Sequence, residues 1–544
     1  MGLLKKLYRY AGGVNGLLLL LYALAVFGVD FYLEPERKLR YLALFAGLLL
    51  ICPLTVRLLS RMKPLGGKAV ASPESAKKGL AWFSGFFLVA FALLLVWYFA
   101  YYPMSVINDT YDQYQQILAG RYSDWHPVLH TLLVLALPLK LTGSFAAVIP
   151  PQMCFFALAL AYMANTLRRY GGLPWALAAL LLVLLNPNTG AIATYPTKDV
   201  SFAVGALLLV CFGLRVWFTR GAWLRSWGRI ACFAAAFAAT TVFRHNAVLF
   251  TLPFLLAVLL LAGRAGRIRL TAAAVLLFTL IKGVLYPALG VEKPGLRLVE
   301  TLGLPMTVIS TVAKENPDCL DGRSRGFIDS VATPEQWADF STGSFNSNKW
   351  MVNLDAIERA GAGTILHTAW NCFTADPKDA FTSLFTLTKL VYSLDGSNIS
   401  RIRAHVSEPI PGKYVWYRVD LQNQRLQGVL DAYRERFEST PLKYATLLGT
   451  VHLLLLALLL GRTDFRKWAD WQRLFLCLPL FIHNFGTMLL LSGDDYRFFY
   501  LSFPLFPALA FLLLCGRTPA GVPETPTPAN ENGGDPLAAK KETT

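Results

Sequence analysis

The sequence has few charged residues and an unequal balance between the two signs. Of its 544 residues, 16% are Asp, Glu, Lys or Arg and 55% are hydrophobic, whereas about 25% charged residues is usual for a soluble domain. This composition excludes a disordered chain, because disorder requires low hydrophobicity and high charge. Eight cysteines are too few for a disulfide scaffold, and 41 glycines are too few for collagen. The composition therefore indicates a polytopic membrane protein.

The chain also lacks the short motifs of several protein classes. It contains no Gly-rich phosphate loop, no Ser-His-Asp order and no Cys-x-x-Cys pair, which argues against nucleotide-driven transport and thiol chemistry. Lys and Arg exceed Asp and Glu by 51 to 34, giving a net charge of +17. Because most of the excess falls in short loops between apolar segments, we assign it to membrane orientation and expect no nucleic-acid partner.

Twelve apolar stretches are long enough to be interpreted as membrane spans. They cover residues 14–30, 41–59, 81–102, 145–167, 172–186, 199–218, 230–243, 246–263, 270–287, 444–461, 474–491 and 498–515. The positive-inside rule makes the Lys/Arg-rich side cytoplasmic, and an even number of crossings places both termini there. A further apolar stretch, 128–142, would invert every later loop if it crossed. We expect it to lie in the outer interface, interrupted at Pro138.

The predicted fold is an all-α polytopic membrane protein of about twelve transmembrane helices, with interfacial helices and a mostly helical external domain. Its parts are an N-terminal transmembrane hairpin and cytoplasmic loop (1–80), a transmembrane core (81–287), the external domain (288–443), C-terminal transmembrane helices (444–515) and a disordered cytoplasmic tail (516–544). In the external domain, Thr333-Pro334 and Asp376-Pro377 are typical helix starts, and 420–438 predicts an amphipathic helix. Cys319 and Cys372 are either a disulfide or two free thiols.

Two carboxylates in the first external loop are the leading catalytic candidates. Asp109 and Asp112 are three residues apart, so on a helix they share a face. At a membrane boundary, such a pair can hold a divalent cation or accept a proton from an attacking hydroxyl. The alternative is that Asn108 or Asp109 caps a short interfacial helix while Asp112 is merely solvated.

Other polar residues lie at the same predicted boundary. Asp124, His126 and His130 have a spacing compatible with zinc, although polar interface contacts or substrate contacts explain them as well. Lys198 and Asp199 stand where an outer loop enters a span. Asp199 either belongs to a helix start or adds a second carboxylate to the cavity of Asp109, and the two interpretations are compatible.

Two external arginines break the positive-inside pattern and therefore need partners. Arg244 and Arg497 are both candidates for binding an anionic lipid phosphate. The alternative partners are Asp494 and Asp495 for Arg497, and a carbonyl or an interfacial lipid for Arg244. Lys282 lies near the outer end of a span, where snorkelling is the default explanation.

The order of several motifs resembles the GT-C glycosyltransferases, and in particular the protein-mannosyltransferase-like enzymes, which include the lipid A aminoarabinose transferases. The resemblance is carried by the acids and His-Pro of the first loop, by Arg168-Arg169-Tyr170-Gly171-Gly172, Asn186-Pro187 and Lys198-Asp199, and by Asp495-Tyr496-Arg497 before a Pro-rich last span. It covers about 81–287 and 486–515. It implies a GT-C-like bundle and a polyprenyl-phosphate or polyprenyl-diphosphate sugar donor, consumed at the outer face without a nucleotide sugar.

The resemblance also implies roles for individual residues. Asp109 corresponds to the first-loop acid that serves as base or metal-positioning group, and Asp199 to the second-loop acid, so these two would hold a divalent cation if one is used. Thr110 follows Asp109 where the family commonly has an adjacent acid, and the second carboxylate comes only at Asp112. Which of Asp109 and Asp112 is the base, and whether a metal is needed, therefore stay open.

The sequence thus predicts a glycosyltransferase of the plasma membrane. Lys198, Arg244 and Arg497 would hold the donor phosphate, and Asp109 or Asp112 would deprotonate the acceptor, which is a glycan, a lipid or a protein of the cell envelope. One alternative is an O-antigen polymerase or ligase that depends on a basic cluster in the large loop. That cluster comprises Arg401, Arg403 and His405. The other alternative is a transporter or flippase of lipid-linked sugars.

Overall fold

A computed structural model describes residues 13–63, 74–293, 295, 297–395, 423–490, 493 and 495–515. Within these ranges the chain is helical and has no strand; an isolated parallel bridge joins Ser123 to Glu292. The main helices are α1 (Val14–Leu33), α2 (Tyr41–Arg61), α3 (Ala76–Ala100), α4 (Asn108–Ala119), α5 (Val128–Thr142), α6 (Phe145–Gly171), α7 (Leu173–Leu184), α8 (Pro187–Ala193), α9 (Lys198–Phe218), α10 (Trp227–Val242), α11 (His245–Leu261), α12 (Arg264–Ala288), α13 (Gly303–Glu315), α14 (Gly322–Val331), α15 (Leu354–Ala375), α16 (Pro377–Tyr392), α17 (Gln424–Ser439), α18 (Leu448–Arg462), α19 (Trp468–Leu490) and α20 (Tyr496–Leu514).

Each of the twelve predicted spans coincides with a helix, but the helices differ in length. In the described ranges, eight helices are long and apolar enough to cross a membrane: α1, α2, α3, α6, α9, α12, α19 and α20. The bent pair α7 and α8, which meet at 64°, would make a ninth. The remaining predicted spans are the shorter helices α10, α11 and α18. At 1.5 Å per residue, such helices fall short of about 30 Å of hydrocarbon. The protein is therefore an all-α polytopic membrane protein, and its helix lengths do not establish the count of twelve.

Several predicted helix starts are confirmed by their caps. Thr333 forms a capping box with Gln336, with a proline at the first helical turn. The Asp376 side chain accepts a hydrogen bond from the backbone N–H of Asp379 and so caps α16. The predicted amphipathic helix 420–438 is α17. The N-capping residues that start helices in soluble proteins thus also start helices in the large loop.

One local prediction and one of the alternatives for the first external loop are wrong. Pro138 does not interrupt α5: the helix continues through it, because a π-helical segment from Thr131 to Ala136 changes the hydrogen-bond register just before the proline. Neither Asn108 nor Asp109 caps α4, since Ile107 occupies the cap position and no side chain bonds there. Asp109 is therefore left for other contacts.

The described residues pack around two large apolar cores. The larger core lies among the helices of the bundle. The second lies within residues 297–392, which we call the inserted domain and whose last helix, α16, also packs into the larger core. Cys319 and Cys372 of this domain are free thiols. The predicted tail, 516–544, and the basic cluster at 401–405 lie outside the described residues.

One close helix contact sets the geometry of the site. A Cβ placed on Gly205 of α9 would lie 2.0 Å from Oγ1 of Thr240 on α10, so only glycine permits this approach. Because α9 begins and α10 ends on the same side of the bundle, the contact brings Asp199 beside Arg244. A glycine on α9 thus brings together the charged residues at the neighbouring ends of α9 and α10.

Candidate active site

Four charged or polar side chains from separate parts of the chain form one cluster. The ammonium of Lys198 donates to Oδ2 of Asp109 over 3.1 Å and lies 3.2 Å from Nδ1 of His126. Nη1 of Arg497 lies 3.8 Å from the same Asp109 oxygen. The carboxylate of Asp109 thus faces two cations. We call Asp109, His126, Lys198 and Arg497 the acid–base cluster.

Local structure explains why Lys198 points to this place. Thr197 caps α9 by accepting a hydrogen bond from the backbone N–H of Asp199, which makes Lys198 the first helical residue. A cation is disfavoured at the positive end of a helix, so Lys198 needs a carboxylate close by. Asp109, in the first turn of α4, supplies it.

The histidine of the cluster connects it to a second acid. An ammonium group can only donate, so Nδ1 of His126 must accept from Lys198, and the imidazole proton belongs on Nε2. Nε2 lies 3.5 Å from Oδ2 of Asp112. The His126 side chain is 2% exposed and that of Asp112 is 65% exposed. Asp112 therefore reaches the cluster through His126, from the solvent side.

A second, more deeply buried pair lies alongside. The guanidinium of Arg244 forms an ion pair with the carboxylate of Asp199, and both residues are buried. Nε of Arg244 also donates a hydrogen bond to Oδ1 of Asn246 over 2.7 Å. Removing either charge would leave the other buried without compensation.

The two arginines are linked by an aromatic ring. The guanidinium carbon of Arg244 lies 4.6 Å from the ring centroid of Phe498, and that of Arg497 lies 6.0 Å from it. Nε of Arg497 is held by Asp495 at 2.6 Å, and its Nη1 is buried and makes no hydrogen bond with any described residue. This N–H group is a donor available to an anion.

Asp124 was predicted as a further site residue, and the structure gives it a different partner. Its Oδ2 accepts from the ammonium of Lys282 over 2.8 Å. The same ammonium lies 4.2 Å from the ring centroid of Tyr286. Lys282 is thus engaged in an ion pair with Asp124. No direct contact joins Asp124 to the acid–base cluster among the described residues.

The sequence left open a divalent cation held by Asp109 and Asp199. No group of three or more His, Cys, Asp or Glu residues suited to a metal occurs in the part of the chain that the structure describes. Asp109 and Asp199, the tentative metal pair, each contact basic side chains that a cation would have to displace. Nδ1 of His130 lies 3.2 Å from Nε2 of Gln113. This donor set fits an anion better than a divalent cation.

The charges around Asp109 control its ionisation. Partial burial alone would raise the pKa of Asp109, but the combined attraction of Lys198 and Arg497 lowers it well below the usual value. Asp109 is therefore a carboxylate at neutral pH. The carboxylate is also a weak base as long as Lys198 and Arg497 both remain paired with it.

Most of the predicted site residues are thus adjacent, and some of their partners were not foreseen. The predicted cations and acids pair with one another: Asp109 with Lys198 and Arg497, Asp112 with His126, and Asp199 with Arg244. Phe498, Asn246 and Gln113 were missed, and nothing in their sequence context distinguishes them from packing residues. Asp494 lies outside the described residues. No protein-family model, no curated protein and no solved structure matches this chain.

Proposed function

We propose that the chain is a glycosyltransferase of the plasma membrane that transfers a sugar from a polyprenyl-phosphate-linked donor to a cell-envelope acceptor. The acid–base cluster would face the outer side, with both chain termini in the cytoplasm. The acceptor is a glycan, a lipid or a protein. The observation that carries this proposal is the convergence of three cations on one carboxylate-lined site at one end of an apolar bundle.

The cations provide a binding site for the donor phosphate. Lys198 and Arg497 both lie close to the carboxylate of Asp109. The guanidinium of Arg244 lies over the ring of Phe498, which also contacts Arg497. Nη1 of Arg497 makes no hydrogen bond with a described residue and can donate to a phosphate oxygen. Each close pair of unit charges contributes about 4 kcal/mol at 4 Å and an effective dielectric of about 20. A phosphate accepts several such charge-assisted hydrogen bonds at once.

The same contacts suggest when Asp109 becomes a base. Donor phosphate and Asp109 compete for Lys198 and Arg497, so binding the donor draws positive charge away from the carboxylate. The pKa of Asp109 then rises towards its usual value, and the carboxylate becomes able to accept a proton. We therefore favour Asp109 as the base and give Asp112, which contacts His126, a positioning role.

The reaction then balances without a metal. The acceptor oxygen, or an acceptor amine, attacks the anomeric carbon while the bond from that carbon to the phosphate oxygen breaks. The acceptor proton goes to Asp109, and the electron pair of the broken bond stays on the lipid phosphate. Lys198, Arg244 and Arg497 stabilise the charge that develops on this leaving group.

The test combines a gene deletion with one isosteric substitution. Surface glycans of deletion cells carrying wild-type protein, Asp109→Asn or Asp318→Asn are analysed by mass spectrometry. We expect the wild type to restore a missing sugar and Asp109→Asn to abolish its transfer at normal protein levels. Asp318, an exposed acid of the inserted domain paired with Arg325, is the matched control and should behave as wild type. Unchanged glycans in all strains would refute the proposed function.

A further inference from the structure

One segment of the inserted domain contacts two loops that carry site residues. A Cβ placed on Gly493, two residues before Asp495, would lie 2.9 Å from Cβ of Asn346. The ammonium of Lys349 lies 5.8 Å from the ring centroid of Trp125, the residue before His126. The segment 344–350 therefore spans from the Arg497 loop to the His126 loop.

The segment is fixed by a buried lysine. Lys349 is 7% exposed, and its ammonium forms an ion pair with the carboxylate of Glu300. The ammonium also lies 5.2 Å from the ring centroid of Trp350, so Lys349 contacts the indoles of both Trp125 and Trp350. Cation–π contacts of this kind hold aromatic rings in a defined orientation.

Trp350 presents an indole to solvent in this fixed setting. It is 68% exposed, although it adjoins the buried Lys349. A single exposed apolar side chain is ordinary in itself. Trp370 of α15, which is 69% exposed, shows that the domain carries another such residue outside the segment. Trp350 differs from Trp370 in its position, because Lys349 contacts both Trp350 and Trp125 of the His126 loop.

This combination of groups suits a carbohydrate. A sugar ring has an apolar C–H face that packs on an indole, and its hydroxyls bond to charged side chains at the edge of the ring. The partly exposed carboxylate of Glu300, which holds Lys349, and the exposed side chain of Asn346 provide such polar groups at this segment. Ligand sites typically combine apolar contact area with a few placed polar groups in this way.

We propose that the segment 344–350 forms the acceptor subsite, with Trp350 as the stacking surface for a saccharide ring of the acceptor. This proposal rests on the proposed function and narrows its acceptor from a glycan, lipid or protein to one that presents a sugar. It assigns the inserted domain the recognition of the acceptor, while the bundle holds the donor. An indole anchored in the membrane interface is the competing role for Trp350.

The test separates acceptor binding from donor chemistry. The acceptor probe is surface polysaccharide purified from the deletion cells, and the donor is supplied in membranes that contain the full-length protein. Sugar transfer is measured against acceptor concentration for wild type, Trp350→Ala, Trp350→Phe and Trp370→Ala. Release of free sugar from the donor without acceptor is measured in parallel.

We expect Trp350→Ala to raise the half-saturating acceptor concentration about tenfold, as loss of one stacking contact predicts, with donor hydrolysis unchanged. Trp350→Phe should restore most of the affinity, and Trp370→Ala should match wild type. Equal acceptor dependence of Trp350→Ala and wild type would overturn the subsite. So would a defect of Trp350→Ala that is confined to the amount of protein in the membrane, because this would indicate interface anchoring. If the wild type moves no sugar, the proposed function itself fails, and the subsite fails with it.

Discussion

Lys198 and Asp109 form an ion pair over 3.1 Å between the first turns of two helices that are 89 residues apart in sequence. The pair accounts for two properties of the site at once. It keeps the carboxylate ionised, and it places a cation where a donor phosphate would compete for it. Three predictions follow from this pair and its neighbours, in addition to the Asp109 and Trp350 experiments above.

The first prediction concerns Asp112 and His126, which we expect to act as one unit. Asp112 contacts the cluster through Nε2 of His126, so Asp112→Asn and His126→Gln should each lower the turnover number about tenfold, as outer partners of functional groups commonly do. The measurement is the initial rate at saturating donor for both single variants and the double variant.

Because both residues act through Lys198, the double variant should be no slower than His126→Gln alone. If the double variant lost turnover by the product of the two single losses, Asp112 and His126 would act independently, which would contradict the prediction. A loss in Asp112→Asn as complete as that in Asp109→Asn would make Asp112 the base instead.

The second prediction concerns the buried pair of Asp199 and Arg244. Asp199→Asn leaves a buried guanidinium without its carboxylate, which should reduce the free energy of unfolding by about 3–5 kcal/mol. Thermal unfolding of the protein in detergent measures the loss. The double variant Asp199→Asn, Arg244→Gln removes both charges and should recover part of it. A single variant as stable as wild type would show that the pair is not buried in the folded protein.

The third prediction concerns pH. The pKa of Asp109 is lowered in the folded protein, so its ion pairs contribute stability that is fully present above the unfolded value, near 4, and is lost only as the pH falls below it. Replacing Lys198 by Met removes the main cation, which should raise the pKa of Asp109 in the folded protein towards its usual value and so make this loss of stability smaller. Thermal unfolding between pH 3 and 7 is compared for wild type, Lys198→Met and Asp109→Asn.

In Asp109→Asn the titrating group is absent, so the part of the pH dependence below pH 4 that belongs to Asp109 should disappear. The difference between wild type and Asp109→Asn isolates this contribution from those of other acids. An identical pH dependence in wild type and Lys198→Met would contradict the assignment of the lowered pKa to Lys198.

The protein class and most of the helices could be predicted from the sequence. Apolar stretches that cannot be solvated must be buried in lipid or in a core, and this requirement is readable from composition and length. Helix starts such as Thr333-Pro334 and Asp376-Pro377 depend on a few adjacent residues, so they too were predictable. The rule that proline interrupts a helix failed at Pro138, because a π-helical segment just before it changes the hydrogen-bond register and the helix continues.

Which charges meet depends on tertiary packing. Asp109, Asp199, Arg244 and Arg497 were all candidates from the sequence, but no local pattern predicts that Asp109 faces Arg497 while Asp199 pairs with Arg244. Those pairings depend on how α9 and α10 pack, where Gly205 permits a close approach. Ion pairs between distant residues follow from such packing, since the energy of a charge pair depends on distance in space and on burial, and neither is a local property of the chain.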